Sequence, residues 1–343
     1  MKRIEPLSPA DPSEVEAKGT SLRKVDRVEI ISLVDNSVDF LSQVGRHDVR
    51  SVRNWVAASK GERWTERHFR PPKAEHGLSM IVRLHFDNEV HSILFDTGGS
   101  PSGAVDNSRG IGLDLTSIEA VVLSHGHPDH FGGLKRIVKA IGRGRLPVIV
   151  HEDMFRIRGV EERGGSIRRL ERFPPESHVE PAEFVEVRRP YLLASGRALV
   201  TGEIPRQTAF EGKFTQHRFF KDGEWRPDPD IQDDRALVMD LEGKGLVVIS
   251  GCAHAGIVNT VLYAQDIAEQ KRIHAVLGGF HLVGKGQEGR ILETVREFRR
   301  LKPTLVAPSH CTGWRGAFRF SEAMPNAFVW NSVGNLYDFK AER

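Results

Sequence analysis

The chain has 343 residues, 49 Lys and Arg against 46 Asp and Glu, a formal charge of +3, 39% hydrophobic residues, 15 histidines and 2 cysteines. That length can bury a sizeable core and the mix excludes disorder and fibrous repeats, while two cysteines exclude a disulfide framework and a four-thiolate zinc module. No apolar run approaches the ~18 residues of a membrane span, and charges and prolines stand where a signal peptide would be apolar, so we expect a cytoplasmic, reduced protein without a membrane partner.

In chain order, residues 1–22 are Pro-, Ser- and charge-rich and read as a flexible arm. Strand-like runs then recur, rich in Val, Ile and Leu and closed by Gly, Asp, Ser or Asn: Val28–Val34, Ser79–Phe86, His91–Phe95, Ala120–Leu123, Pro147–Val150, Ala236–Leu241, Gly245–Ile249, His274–Leu277 and Thr304–Ala307. The segment DLEGKG between Met239 and Leu246 reads as a hairpin turn. Phe131–Ile141 carries apolar residues at Leu134, Ile137, Val138 and Ile141, a helical spacing shared by Gly256–Glu269 and Gln287–Leu301. Hairpins together with strand–helix alternation predict a mixed α/β (α+β) sandwich. Residues 23–343 are expected to form one domain, with insertions near 42–72, which is polar and Arg-rich, and 152–232, whose arginines between 152 and 190 alternate with glutamates as on a solvated face.

The histidines fall at strand ends. Ala120–Leu123 runs into Ser124-His125-Gly126-His127-Pro128-Asp129-His130, placing three imidazoles and a carboxylate within six residues. So dense a polar group beside an apolar strand is costly unless it shares a cation, and imidazole with carboxylate suits zinc, iron, manganese or cobalt. Gly245–Ile249 ends near His254, His274–Leu277 near His281, and Thr304–Ala307 near His310. Strands whose carboxyl ends all deliver histidines point to a metal cluster, because loops converge there.

The His125, His127, Asp129, His130 pattern resembles the H-x-H-x-D-H signature of the metallo-β-lactamase superfamily, and the resemblance extends over roughly residues 28–338. Shorter segments are similar to the 7,8-dihydropterin-6-methyl-4-(β-D-ribofuranosyl)aminobenzene-phosphate synthase-like branch: Val34-Asp35-Asn36, Glu75-His76-Gly77-Leu78-Ser79, Thr201-Gly202-Glu203-Ile204-Pro205-Arg206, Gly251-Cys252-Ala253-His254-Ala255-Gly256, Gly278-Gly279-Phe280-His281-Leu282 and Pro308-Ser309-His310-Cys311-Thr312-Gly313. The resemblance implies a four-layer αββα sandwich of two mixed sheets, with metals at the edge between them. It implies two divalent transition-metal ions, zinc first, with iron, manganese or cobalt as alternatives. His125, His127 and His254 would hold one ion; Asp129, His130 and His310 would hold the other. Asp129 is also the candidate catalytic group, orienting the nucleophile as a weak base.

Asp96, in Leu94-Phe95-Asp96-Thr97-Gly98, is expected to support the metal loop from behind the ligands. Cys252 and Cys311 read as small buried fillers beside them, with thiolate ligation of a soft metal as the alternative. Many members of the superfamily bridge the metals with an aspartate between the last two motifs. Here Asp266, Glu269, Glu288, Glu293 and Glu297 close no strand, and His281 stands at the strand end, for metal or substrate. Asn36 and His76 are candidates to line the pocket, and Arg206 to hold a phosphate through its guanidinium fork.

The chemistry expected is that of a metal-dependent hydrolase or transferase acting on a phosphorylated or cyclic small molecule related to dihydropterins. The alternatives are a phosphodiesterase or lactonase using a metal-bound hydroxide, and a non-catalytic metal-binding sensor. Balanced charge and the lack of a basic, aromatic-interleaved tract speak against nucleic acid as partner, and the sequence carries no signal of oligomeric state.

Overall fold

Side chains alternate across a strand, and in this chain both alternating sets are apolar, so each sheet must be covered on both faces. The computed structural model describes residues 21–42, 44–284 and 286–342, so nearly all of the arm expected over 1–22 lies outside the described residues. An eight-stranded mixed sheet runs in the order Ala182–Glu186, Leu146–Val150, Ile118–Val122, Glu89–Phe95, Ser79–Phe86, Arg27–Val34, Leu336–Lys340, Val49–Arg50. A seven-stranded mixed sheet runs Tyr191–Leu193, Ala198–Val200, Ala236–Leu241, Gly245–Ser250, Ile273–Gly279, Leu305–Ser309, with Lys24–Val25 added parallel to Ala236–Leu241.

Val28, Ile30, Met80, Val82 and Phe95 of the first sheet meet Leu237, Met239, Val247, Ile249 and Leu277 of the second in one buried core. The opposite residues of the first sheet, among them Ile31, Leu33, Ile81, Leu94, Val121 and Val148, lie under helices Val52–Lys60, Gly103–Gly110 and Leu134–Ile141. Val276 and Val306 of the second sheet lie under Ile257–Ile267, Ile291–Leu301 and Gly313–Ala323. The layers are therefore helix, sheet, sheet, helix, as expected from the sequence. Among the described residues, no helix is long and apolar enough to cross a membrane.

The stretches read as insertions contribute more to the layers than their composition suggests. Residues 42–72 supply Val52, Trp55 and Val56 to the core beneath the first sheet. Within 152–232, Ile157–Glu161, Ile167–Arg169, His217–Lys221 and Glu224–Pro227 form a separate four-stranded sheet, whereas Ala182–Glu186, Tyr191–Leu193 and Ala198–Val200 extend the two main sheets. These strands have three to five residues, too few for a hydrophobic alternation to declare itself. Two arginines of 152–232 are buried, Arg158 within the alternation read as a solvated face and Arg197 beyond it.

Strands Gly245–Ser250, Ile273–Gly279 and Leu305–Ser309 are mutually parallel, so their carboxyl ends open on a single edge. Ile118–Val122, parallel to both of its neighbours, ends at the loop that carries His125.

Candidate metal centre

The loop after Ile118–Val122 is held from below by Asp96. Its Oδ1 accepts the backbone N–H of Ser124 at 2.7 Å, while its Oδ2 accepts Ser124 Oγ at 2.7 Å and Nδ1 of His130 at 2.6 Å. Asp96 has φ 58°, as Ala253 (54°), His281 (41°) and His310 (49°) do in the left-handed region, so backbone strain gathers around this one edge. The chains also approach closely here. A Cβ on Gly251 would lie 2.1 Å from Ser124 Oγ and 3.1 Å from Asp96 Oδ2, a space that only glycine leaves open. The short helix Pro128–Phe131, with proline pre-set at its first position, then presents Asp129 and His130.

Three imidazole nitrogens converge. His125 Nε2 lies 2.9 Å from His127 Nδ1, which is 3.1 Å from His254 Nε2, and the third side of the triangle is 3.2 Å. Ser124 spends its hydroxyl proton on Asp96, so Nδ1 of His125, 2.9 Å from Oγ, must donate to it, leaving Nε2 as a bare lone pair. Burial, reinforced by neighbouring imidazoles, pushes all three histidines well below the ordinary imidazole range. Neutral imidazoles facing one point cannot satisfy one another as donors and acceptors. Ligands of a tetrahedral zinc stand about 3.3 Å apart, so the triangle fits an ion with little adjustment.

The second donor set follows from the orientation of Asn36. The N–H of Gly77 points at Asn36 Oδ1, 3.4 Å away, which fixes which amide atom is oxygen. That oxygen accepts from Nδ1 of His310 at 3.0 Å, and Asn36 Nδ2 donates to His76 Nδ1 at 3.2 Å. His76 thus carries its proton on Nε2 and directs it at Asp129 Oδ2, 3.3 Å away. His310 instead presents a lone pair on Nε2, buried and without a hydrogen bond, 3.2 Å from the same carboxylate oxygen. Nδ1 of His130 is committed to Asp96, so Nε2, 3.7 Å from Asp129 Oδ2, is the nitrogen an ion would take once its proton leaves. The His310 lone pair facing a carboxylate repels it unless a cation lies between them.

The donor atoms of Asp129, His130, His310 and Cys252 all lie within 4.8 Å of one another, as do those of Cys252, His254 and His281. Burial lowers the His130 imidazole, but Asp96 and Asp129 outweigh it and push it up to about 9. Asp129 shows the mirror effect: burial would raise it, yet His130, His310 and His76 hold its carboxyl far below the usual carboxylate range. Both displacements describe a place built for positive charge.

Of the residues singled out from sequence, His125, His127 and His254 form the first group, and Asp129, His130 and His310 the second. His281 abuts the first through His254, ring centroids 4.5 Å apart. Asn36 and His76 stand at the rim, with the His76 side chain 69% exposed. Arg206 is engaged otherwise: its guanidinium donates to the carbonyls of Asp230 and His254, so it pegs the metal strand end in place. Cys311 points Sγ toward the carbonyl of Cys252, 3.5 Å away.

Three contributors escaped sequence reasoning. Phe214 packs edge-on against His254 and His281, with centroids 4.7 and 4.6 Å away. His217, read as an ordinary histidine, stacks 5.1 Å from His127. Asp233, fully buried, accepts the N–H of Gly126 at 2.7 Å and pairs with Arg158 at 2.9 and 2.5 Å, tying the four-stranded sheet to the loop between two candidate ligands. The consecutive acids Asp233 and Asp234 are the signal in the sequence, and they lie upstream of the stretch between His254 and His310 where a bridging acid is expected.

Two facing mixed sheets clad in helices, with histidines delivered to one edge from several strand ends, define a class of metal-dependent αββα proteins. The model of the metallo-β-lactamase superfamily matches residues 73–310, and the chain belongs to that superfamily. It is 28% identical over 270 residues to the 7,8-dihydropterin-6-methyl-4-(β-D-ribofuranosyl)-aminobenzene-5'-phosphate synthase of Methanocaldococcus jannaschii, covering 78% of this chain and 90% of that protein. It is 30% identical over 264 residues to the uncharacterized protein MJ0448 of the same organism, covering 77% and 93%. The crystal structure of Tm1679, described as a metal-dependent hydrolase of the β-lactamase superfamily, superposes with a TM-score of 0.66 at 26% identity, covering 92% of this chain and 100% of that one. Within the superfamily the chain falls in the synthase-like branch.

Proposed function

We propose that the chain is a metal-dependent hydrolase or transferase that works through a dinuclear centre on a phosphorylated or cyclic small molecule of the dihydropterin type. The observation that carries this reading is the pair of adjacent donor groups whose hydrogen bonds turn the Nε2 atoms of His125, His130 and His310 inward. The similarity to the M. jannaschii synthase supports the substrate type.

His125, His127 and His254 would hold one ion and Asp129, His130 and His310 the other, with zinc the metal that nitrogen and oxygen donors at this spacing suit first. Bound there, the ions supply Lewis acidity toward water and toward phosphoryl or carbonyl oxygens. Asp129, whose carboxyl scarcely holds a proton, serves as anion and orienting acceptor better than as a base. His76 directs its Nε2 proton at Asp129 from the solvent side and meets an entering substrate first. Phe214 and His217 roof the three-histidine group and limit the water that reaches it, the condition under which transfer competes with hydrolysis.

The test is turnover by the metal-loaded full chain on dihydropterin diphosphate, phosphomonoester, phosphodiester and lactone substrates. The reading expects activity on a phosphorylated pterin-type compound that chelation removes and His125→Ala abolishes. Turnover confined to phosphodiesters or lactones would replace the substrate class. Full metal occupancy without turnover on any of them, unchanged by His125→Ala, would make the protein a sensor.

A further inference from the structure

Among the described residues, Asp129 is the one carboxylate in the converging donor groups. Asp266 lies in helix Ile257–Ile267, and Glu293 and Glu297 lie in helix Ile291–Leu301, both remote in the fold from the strand ends. An ion held by Asp129, His130 and His310 alone would keep a net positive charge in a buried place, which is costly.

One further anionic donor is within reach. Cys252 is buried, with Sγ 3.2 Å from His130 Nε2. With Nδ1–H of His130 donating to Asp96, Nε2 is the nitrogen left for an ion, and it is the one that faces Sγ. Sγ falls inside the same 4.8 Å group as the donor atoms of Asp129, His130 and His310, and four donors of two nitrogens, one oxygen and one sulfur are what a tetrahedral ion takes. Independently of the cysteine, the buried Nε2 of His310 is aimed into this space and makes no hydrogen bond. Cys311 lies beside this space, its Sγ toward the carbonyl of Cys252 and in contact with the Cys252 thiol and His281, outside the group formed with Asp129, His130 and His310.

We propose that Cys252 is a thiolate ligand of the second ion and closes its coordination as Asp129, His130, Cys252 and His310. This rests on the dinuclear reading given above. As the metal–sulfur bond forms, the thiol proton leaves to solvent, and carboxylate plus thiolate neutralise the dication. Two consequences follow for the chemistry. With four protein donors the second ion would be the more closed of the two, so the position for water or substrate would open first on the three-histidine ion. The thiolate also selects zinc or cobalt(II) over manganese or magnesium.

The test loads the metal-free full chain with cobalt(II) and reads metal equivalents together with sulfur-to-cobalt charge transfer in the near ultraviolet. The unmodified protein should bind two equivalents and show the band. Cys252→Ser should lose the band and weaken the second equivalent by about 10–100-fold, the scale of a damaged metal shell, with the first equivalent kept; Cys311→Ser should retain both. Two equivalents without the band, or a band that survives Cys252→Ser, overturns thiolate ligation and leaves the dinuclear reading intact. Uptake of one equivalent or fewer by the unmodified protein overturns both. Should Cys252→Ser fail to fold, zinc X-ray absorption of the unmodified and Cys311→Ser proteins decides instead: one sulfur at about 2.3 Å per two zinc ions supports the assignment, and its absence removes it.

Discussion

Oδ2 of Asp96 accepts a 2.6 Å hydrogen bond from Nδ1 of His130, with both side chains completely buried. This contact fixes the tautomer of His130 and thereby decides which nitrogen faces the candidate second ion. Asp96→Asn keeps the shape but allows an amide N–H to face Nδ1, which turns the His130 proton onto Nε2. Affinity for the second metal equivalent should fall about 10–100-fold, the usual effect of losing such support, as read by competition with a chromogenic chelator. Unchanged affinity would mean that His130 is no ligand.

The same pair sets a pH dependence. In the metal-free protein the His130 imidazole is pushed up to about 9. The proton is therefore held below that pH and must leave before a metal binds, so affinity for the second equivalent should rise toward pH 9 by about tenfold per pH unit for each proton released, and more gently above it, where only the buried Cys252 thiol still has a proton to lose. For the metal-free fold the sign is opposite. A raised histidine pKa contributes stability that is complete below its unfolded value, near 6.5, and is lost as pH rises through about 9. Chelator titrations and denaturant midpoints across this range check the two slopes.

Arg235 is fully buried and donates to the carbonyls of Leu123 (2.6 Å), Val150 (3.1 Å), Ile149 (3.2 Å) and Val187 (3.3 Å), gathering the ends of the strands that frame the metal loop. Burial lowers its pKa to about 10, still charged at neutral pH. Arg235→Met removes a donor shared by several buried carbonyls and leaves Asp233 and Asp234 less compensated. A loss of about 3–5 kcal/mol is expected in urea unfolding, on the scale of breaking a buried charge network.

Gly251→Ala would force a methyl group onto Ser124 Oγ, 2.1 Å from the ideal Cβ position. The Ser124–Asp96 contact must open, so the variant should lose about 1–3 kcal/mol, the range for overpacking a core, together with metal affinity. Differential scanning calorimetry with and without zinc separates the two effects.

The layers were readable wherever a strand was long and buried. Ser79–Phe86 and Ala236–Leu241 begin and end where the apolar runs do. Leu336–Lys340 was missed because its LYDFK pattern is short and closes no motif, although it pairs with Arg27–Val34 across nearly the full chain length. The candidate ligands were readable because H-x-H-x-D-H is local, whereas Asp233, Arg158 and His217 reach the site through pairings between segments far apart in sequence. Arg206 was singled out for its charge as a phosphate partner, and the fold adds what its sequence position could not show: Nη2 donates to the carbonyls of Asp230 and His254.

The central claim is that two neighbouring donor groups each hold an ion. Anomalous scattering at the zinc edge, from a crystal grown with zinc, measures this directly. The account predicts one peak among His125, His127 and His254 and a second among Asp129, His130 and His310, with the second lost in His310→Ala. A single peak, or peaks away from these residues, would contradict it.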